Sequence, residues 1–161
     1  MKIPLLAVLF VSTLAAIAQQ APATSLEIVV GDKHLQLTDA IRSMPHTTLT
    51  VTNGHTGASE TYTGVPLIDL LAKDGVPHGK DLHGKALSEY IVATGADGYK
   101  AVLALAEVDP EFHPGTVIVA DTLAGKPLDE KTGPYKLVVS EDKRPARSVH
   151  SLVKIEVKAA E

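Results

Sequence analysis

The chain has 161 residues, a formal net charge of -4, seven histidines, no cysteine and no tryptophan. The missing cysteine excludes thiolate nucleophiles, cysteine-bound zinc, iron–sulfur clusters and c-type haem attachment, and leaves stability to packing without disulfides. The acidic balance and the few aromatics leave no surface suited to nucleic acid.

Met1 and Lys2 precede the apolar run "IPLLAVLFVSTLAAIA", in which Ala16 and Ala18 flank Ile17. This is the layout of a secretory signal peptide cleaved after Ala18. The run is shorter than the roughly 20 apolar residues that span a bilayer. The expectation is therefore a signal peptide over residues 1–18, a short linker over 19–25 and one domain over 26–158. The mature protein is expected in the periplasm or secreted, with no membrane span; the alternative is an uncleaved N-terminal anchor.

"LEIVV" and "HLQLT" flank Gly31-Asp32-Lys33 and read as a hairpin. "TDAIRSMP" reads as a short helix capped by Thr38 or Asp39 and stopped by Pro45. "TTLTVT" is a β-branched strand, "NGHTGASE" is turn material, and "TYT" re-enters the sheet. In "GVPLIDLLAKDGVP", Pro66 suits a first helical turn, Leu67, Leu70 and Leu71 make an apolar stripe, and Gly75 suits the C-terminal cap. After the polar loop "HGKDLHGK", the stretch "YIVATGADGYKAVLALAEVDP" runs strand, Gly-Ala-Asp-Gly turn, strand and acidic shoulder. "TVIVAD", "YKLVVS" and "SVHSLVKIEV" complete the strands, with "EDKRPAR" as a charged loop. Many strands with a few short helices inserted irregularly make an α+β, sheet-rich fold.

Taken in order and spacing, "YTGVPLIDLLAKDGV", "YIVATGADGYKAVLALAEVDP" and "VIVADTLAGKPLDEKTGPYKLVVSEDKRPARSVHSLVKIEV" resemble the oxidoreductase molybdopterin-binding domain of sulfite-oxidase-like enzymes. The likeness extends over Leu26 to Val157 and is greatest to small, secreted, stand-alone members. It implies the mixed, sheet-rich fold that in catalytic relatives wraps a pyranopterin holding molybdenum and moves oxygen atoms or electrons. Those relatives bind the metal through a cysteine in a segment like "TTLTVTNGH", near Val51 or Thr52 here. Neither side chain replaces a soft thiolate.

The resemblance and the residue chemistry together single out seven side chains for cofactor or ligand contact. Gly95 and Gly98 in "GADGY" would let backbone approach a pterin-like ligand beside Asp97 and Tyr99, or the segment is simply a two-residue Asp-Gly reversal. Lys143, Arg144 and Arg147 offer charge-assisted donors to a phosphate or oxyanion, or belong to a solvated loop neutralised by Glu141 and Asp142. His55, near the family's metal-ligand position, is a proton shuttle or metal ligand, or an exposed loop histidine. His150 is a pocket residue or a half-buried residue of the last strand. No metal set is read from the remaining histidines, His78 and His83 lacking the spacing of a helical pair. No serine-hydrolase elbow is present, and the acid pairs Asp109/Glu111 and Asp129/Glu130 read as solvated turns.

The reading that results is an exported molybdopterin-oxidoreductase-like domain that binds a small anionic or pterin-like ligand without molybdenum–thiolate catalysis. The alternatives are a scaffold-only module that binds a periplasmic redox or protein partner, and an oxidoreductase with a non-cysteine metal site.

Overall fold

The computed structural model describes residues 25–54 and 56–160. The expected signal peptide, the expected linker up to residue 24 and His55 lie outside the described residues. No helix among the described residues is long and apolar enough to cross a membrane.

The expected hairpin forms from β1 (Leu26–Val30) and β2 (Lys33–Leu37), with Val30 opposite Lys33 and Gly31 at φ 57° in the two-residue turn. The expected short helix forms as a 3-10 helix, Asp39–Ser43, with N-cap Thr38 and no side-chain hydrogen bond at that cap. Pro45 forces the preceding Met44 into extended backbone, ψ 156°, before an α-helical turn can propagate. Next come β3 (Thr47–Thr52) and β4 (Ser59–Pro66), and β4 runs directly into α1 (Leu67–Ala72). Leu67, Ile68, Leu70 and Leu71 of α1 are buried, and Gly75 ends the turn in the left-handed conformation, φ 87°.

The remaining strands are β5 (Glu89–Gly95), β6 (Lys100–Ala104), β7 (Val117–Leu123), β8 (Lys126–Pro127), β9 (Lys136–Val139) and β10 (Leu152–Ala159). One sheet has the order β2-β1-β10-β5-β6, and within it the strands β1 and β10 from the two ends of the domain pair in parallel, Ile28 opposite Ile155. The other has the order β3-β4-β7-β8, and β9 pairs with the opposite end of the β7 edge that β8 occupies. A single apolar core joins both sheets to α1, with Leu26, Ile91, Val119, Leu137 and Ile155 at its centre.

Side chains alternate across a strand, so the second sheet has a further face. There Tyr62, Ile118, Ala120 and Val138 form a smaller apolar cluster, bordered by Leu49, Val51, Leu123 and Leu128. Gly64 permits the close approach of β4 to β7 that shapes this face. A Cβ at that position would collide with the Val119 carbonyl and the Ala120 backbone, next to a bulge between Thr63 and Gly64.

Asp109 departs from the solvated role expected of it. It is 1% exposed and accepts hydrogen bonds from the backbone N–H groups of Gly79 (2.5 Å) and Glu111 (2.9 Å). The carboxylate fastens the connection after β6 to the turn at Gly79 by taking up one backbone N–H group from each.

Candidate functional site

The smaller apolar face is the floor of a cavity of about 1030 Å³, the size range of small-molecule sites. Val51, Tyr62, Leu123 and Val138 form the floor. Three connections form the walls: the turn after β3, the segment from β8 to β9, and the loop between β9 and β10. The first and third touch, since a Cβ on Gly54 would lie 2.9 Å from the Pro145 ring.

A polar chain, buried at Tyr62 and Lys136 and half-buried at Glu60 and Asn53, crosses the floor. Glu60 and Tyr62, two apart on β4, face the same way, and β9 delivers Lys136 opposite Ala120 of β7. The Lys136 ammonium donates to the Tyr62 hydroxyl (2.7 Å), and that hydroxyl donates to Glu60 Oε2 (2.7 Å). Asn53 donates to Glu60 Oε1 (2.7 Å). The same ammonium sits 4.4 Å from the centre of the Tyr62 ring, a cation–π distance.

Lys136 is only 7% exposed and forms no ion pair among the described residues. Burial lowers its pKa against the opposing pull of Glu60 and Asp129. Burial, then the Glu60 hydrogen bond, raises Tyr62 well beyond the ordinary phenol range, so the hydroxyl stays protonated. The Asn53 hydrogen bond, opposed by burial and reinforced by Tyr62 and Lys136, holds Glu60 below its ordinary value. The chain is therefore ammonium, neutral phenol and carboxylate.

The rim is basic. Lys126, Lys143 and Arg144 are exposed and pair with no carboxylate among the described residues. Four cationic side chains line the cavity against two carboxylates, Glu60 and Asp129, in a chain whose net charge is -4. Asp129 is occupied in its own turn, accepting from the Thr132 hydroxyl (2.7 Å) and from two backbone N–H groups.

Of the side chains singled out from sequence, Lys143, Arg144 and His150 line this cavity. His150 lies in the bend before β10 and is exposed, because Ser151 adopts φ 44° and breaks the extended run there. Its pKa is lowered, by partial burial first and then by the Lys136 charge. Arg147 points elsewhere. It binds Asp142 through Nε and Nη2 (3.0 and 2.6 Å) and Glu107 through Nη1 (2.9 Å). These bonds, Asp142 first, raise its pKa.

Asp97 and Tyr99 do not line the cavity either. The connection is longer than a two-residue reversal: residues 96–99 link β5 to β6, with Gly98 at φ 84° and the Asp97 carboxylate accepting from the Tyr99 N–H (2.9 Å). Its outer tie has a use, because the Tyr99 hydroxyl donates to the Ala146 carbonyl (2.6 Å) and Ala96 N–H donates to Ser151 (2.9 Å). The turn braces the loop that carries Lys143 and Arg144 from behind.

Sequence reasoning missed Glu60, Tyr62 and Lys136. The available signals were a lysine inside the otherwise apolar "YKLVV" and the i, i+2 spacing of Glu60 and Tyr62 in a strand.

A family model described as the oxidoreductase molybdopterin binding domain matches residues 31–161. The chain belongs to that family. No curated protein matches it. Among solved structures, the sulfane dehydrogenase SoxCD from Paracoccus pantotrophus superposes with a TM-score of 0.64 at 24% identity, over 85% of this chain and 39% of that one. The likeness establishes the sulfite-oxidase-like fold, and the chain spans well under half the length of that relative.

The donor set does not fit the metal end of the molybdopterin cofactor. Val51 and Thr52, where the resemblance places a thiolate, line the cavity with a hydrocarbon and a neutral hydroxyl, which are poor substitutes for a soft ligand. Both oxygens of Glu60 are already engaged. No group of three His, Cys, Asp or Glu able to hold a metal occurs among the described residues.

Proposed function

We propose that this member of the molybdopterin-binding family is an exported binding protein for a small anionic organic ligand, working without a molybdenum–thiolate centre. The observation that carries the reading is the pairing of a cofactor-sized cavity and apolar floor with unneutralised Lys126, Lys143 and Arg144 at its rim. A flat organic ring suits a floor of Val51, Leu123 and Val138, and an anionic substituent suits the guanidinium of Arg144, which binds two oxygens at once. Within this reading residues 1–18 direct export, and the protein presents or stores its ligand for a periplasmic partner.

Native mass spectrometry of protein purified from the periplasm tests this. The expected result is a co-purifying small anion that is lost when Lys143 and Arg144 are both replaced by Glu. An empty protein that also shows no thermal shift with a panel of phosphorylated and carboxylated ring compounds would contradict it.

A further inference from the structure

Lys136 differs from Lys126 and Lys143, the other two lysines of the cavity. Those two are exposed, whereas Lys136 is 7% exposed and rises from the floor with its Nζ fixed at one point. The Tyr62 hydroxyl holds it from one side (2.7 Å) and the Tyr62 ring lies 4.4 Å away. No carboxylate pairs with it directly among the described residues: Glu60 is hydrogen-bonded to it only through the intervening hydroxyl, while the charges of Glu60 and Asp129 act on it from a distance. A lysine placed this way carries a desolvation penalty that a purely structural position avoids with an apolar residue of similar volume.

We propose that Lys136 is a carbonyl-capturing amine, its Nζ forming a reversible imine with an aldehyde or ketone whose anionic group rests on Lys143 and Arg144. The proposal deepens the anionic-ligand reading of the same cavity and rests on it. A lysine whose charged form is disfavoured by burial yields the neutral amine needed at lower pH than a surface lysine does. The ionisable groups facing it from the surrounding elements are Glu60 and Tyr62 on β4, Asp129 before β9, His150 before β10, and Lys126, Lys143 and Arg144 at the rim. Burial favours deprotonation, and the two carboxylates oppose it.

The chemistry balances without an external oxidant or reductant. After the ammonium releases one proton to solvent at the cavity mouth, the nitrogen lone pair adds to the carbonyl carbon and the C=O π pair moves to oxygen. One N–H proton passes to that oxygen, giving a carbinolamine. The C–O bond then breaks as C=N forms, one water leaves, and hydrolysis reverses the sequence. The Tyr62 oxygen, 2.7 Å from Nζ and with its own proton committed to Glu60, accepts from the amine and holds the nitrogen in place.

The test uses pyridoxal 5′-phosphate, an aromatic aldehyde bearing a phosphate, with cyanoborohydride to trap the imine, and pyridoxine 5′-phosphate, its alcohol counterpart, to read non-covalent binding by calorimetry. Peptide mapping at pH 7 is expected to find the reduced adduct at Lys136 at least tenfold above the exposed Lys33, Lys80 and Lys85. It is expected to vanish in Lys136→Met and to slow about tenfold in the Lys143→Ala/Arg144→Ala double variant, a loss of roughly 1.4 kcal/mol in ligand holding. If pyridoxine phosphate binds while the adduct spreads over exposed lysines, the imine proposal is overturned and the anion-binding reading stands. If neither compound engages the cavity, both fail.

Discussion

Tyr62→Phe removes one oxygen from a residue that is 3% exposed and leaves the apolar floor otherwise intact. The lost hydroxyl makes two hydrogen bonds, each to an ionised partner at 2.7 Å. A hydrogen bond to a charged group contributes about 1.5–3 kcal/mol. The two share one atom and do not add, and water entering the open cavity takes over part of each. The net expectation is about 1.5–3 kcal/mol at pH 7, equivalent to a Tm lower by roughly 5–12 °C for a domain of this size.

The pH dependence has a definite sign. Glu60 has a lowered pKa in the folded state, so its contribution is complete above the ordinary glutamate value of roughly 4.3 and fades as pH falls through the lowered one. Removing Tyr62's hydroxyl removes part of that contribution. The stability gap between the native protein and the variant is therefore largest near pH 7 and narrows below the ordinary glutamate value. Urea denaturation followed by circular dichroism at pH 7 and at pH 3.5 measures both. A loss under about 0.5 kcal/mol at pH 7, or a gap that stays constant with pH, would refute the coupling of lysine, phenol and carboxylate.

Arg147→Ala and Arg144→Ala separate two arginines three positions apart. Arg147→Ala costs about 1–2 kcal/mol, discounted because its side chain is 36% exposed, and leaves cavity binding unchanged; Arg144→Ala leaves stability within about 0.5 kcal/mol and weakens anion binding. Gly64→Ala drives a methyl group into the backbone of β7 and costs about 3 kcal/mol or more, read by thermal melting. His150 has a pKa lowered below the ordinary histidine value of roughly 6.5, so its protonation on acidification adds a cation to the cavity: affinity for an anion rises as pH falls through the lowered value, and His150→Gln flattens that rise in calorimetric titrations.

Local chemistry made the strands and α1 legible in the sequence. β-branched runs such as "TTLTVT" and the Leu67, Leu70, Leu71 stripe carry their own periodicity, and the ordered segments carried the family resemblance. The short helix before Pro45 was legible, but five residues hold too few backbone bonds to tell its 3-10 type from α in advance. The parallel pairing of β1 with β10 has no local signature. Lys143 and Arg144 stood out by charge density, but so did Arg147, and only the folded loop reveals that its partners are Asp142 and, 40 positions away, Glu107. The Lys136 contact to Tyr62 bridges 74 positions, beyond the reach of any spacing rule. Asp97 and Tyr99 were identifiable as turn residues, whereas their bracing of the 145–147 turn required the Tyr99 to Ala146 contact.

This domain of the molybdopterin-binding family has a cofactor-sized cavity and no cysteine to anchor the metal. The most direct test is elemental analysis for molybdenum together with oxidised-pterin fluorescence, on protein purified from cells making the cofactor. Molybdenum far below one atom per chain is the expected result. One molybdenum and one pterin per chain would contradict it.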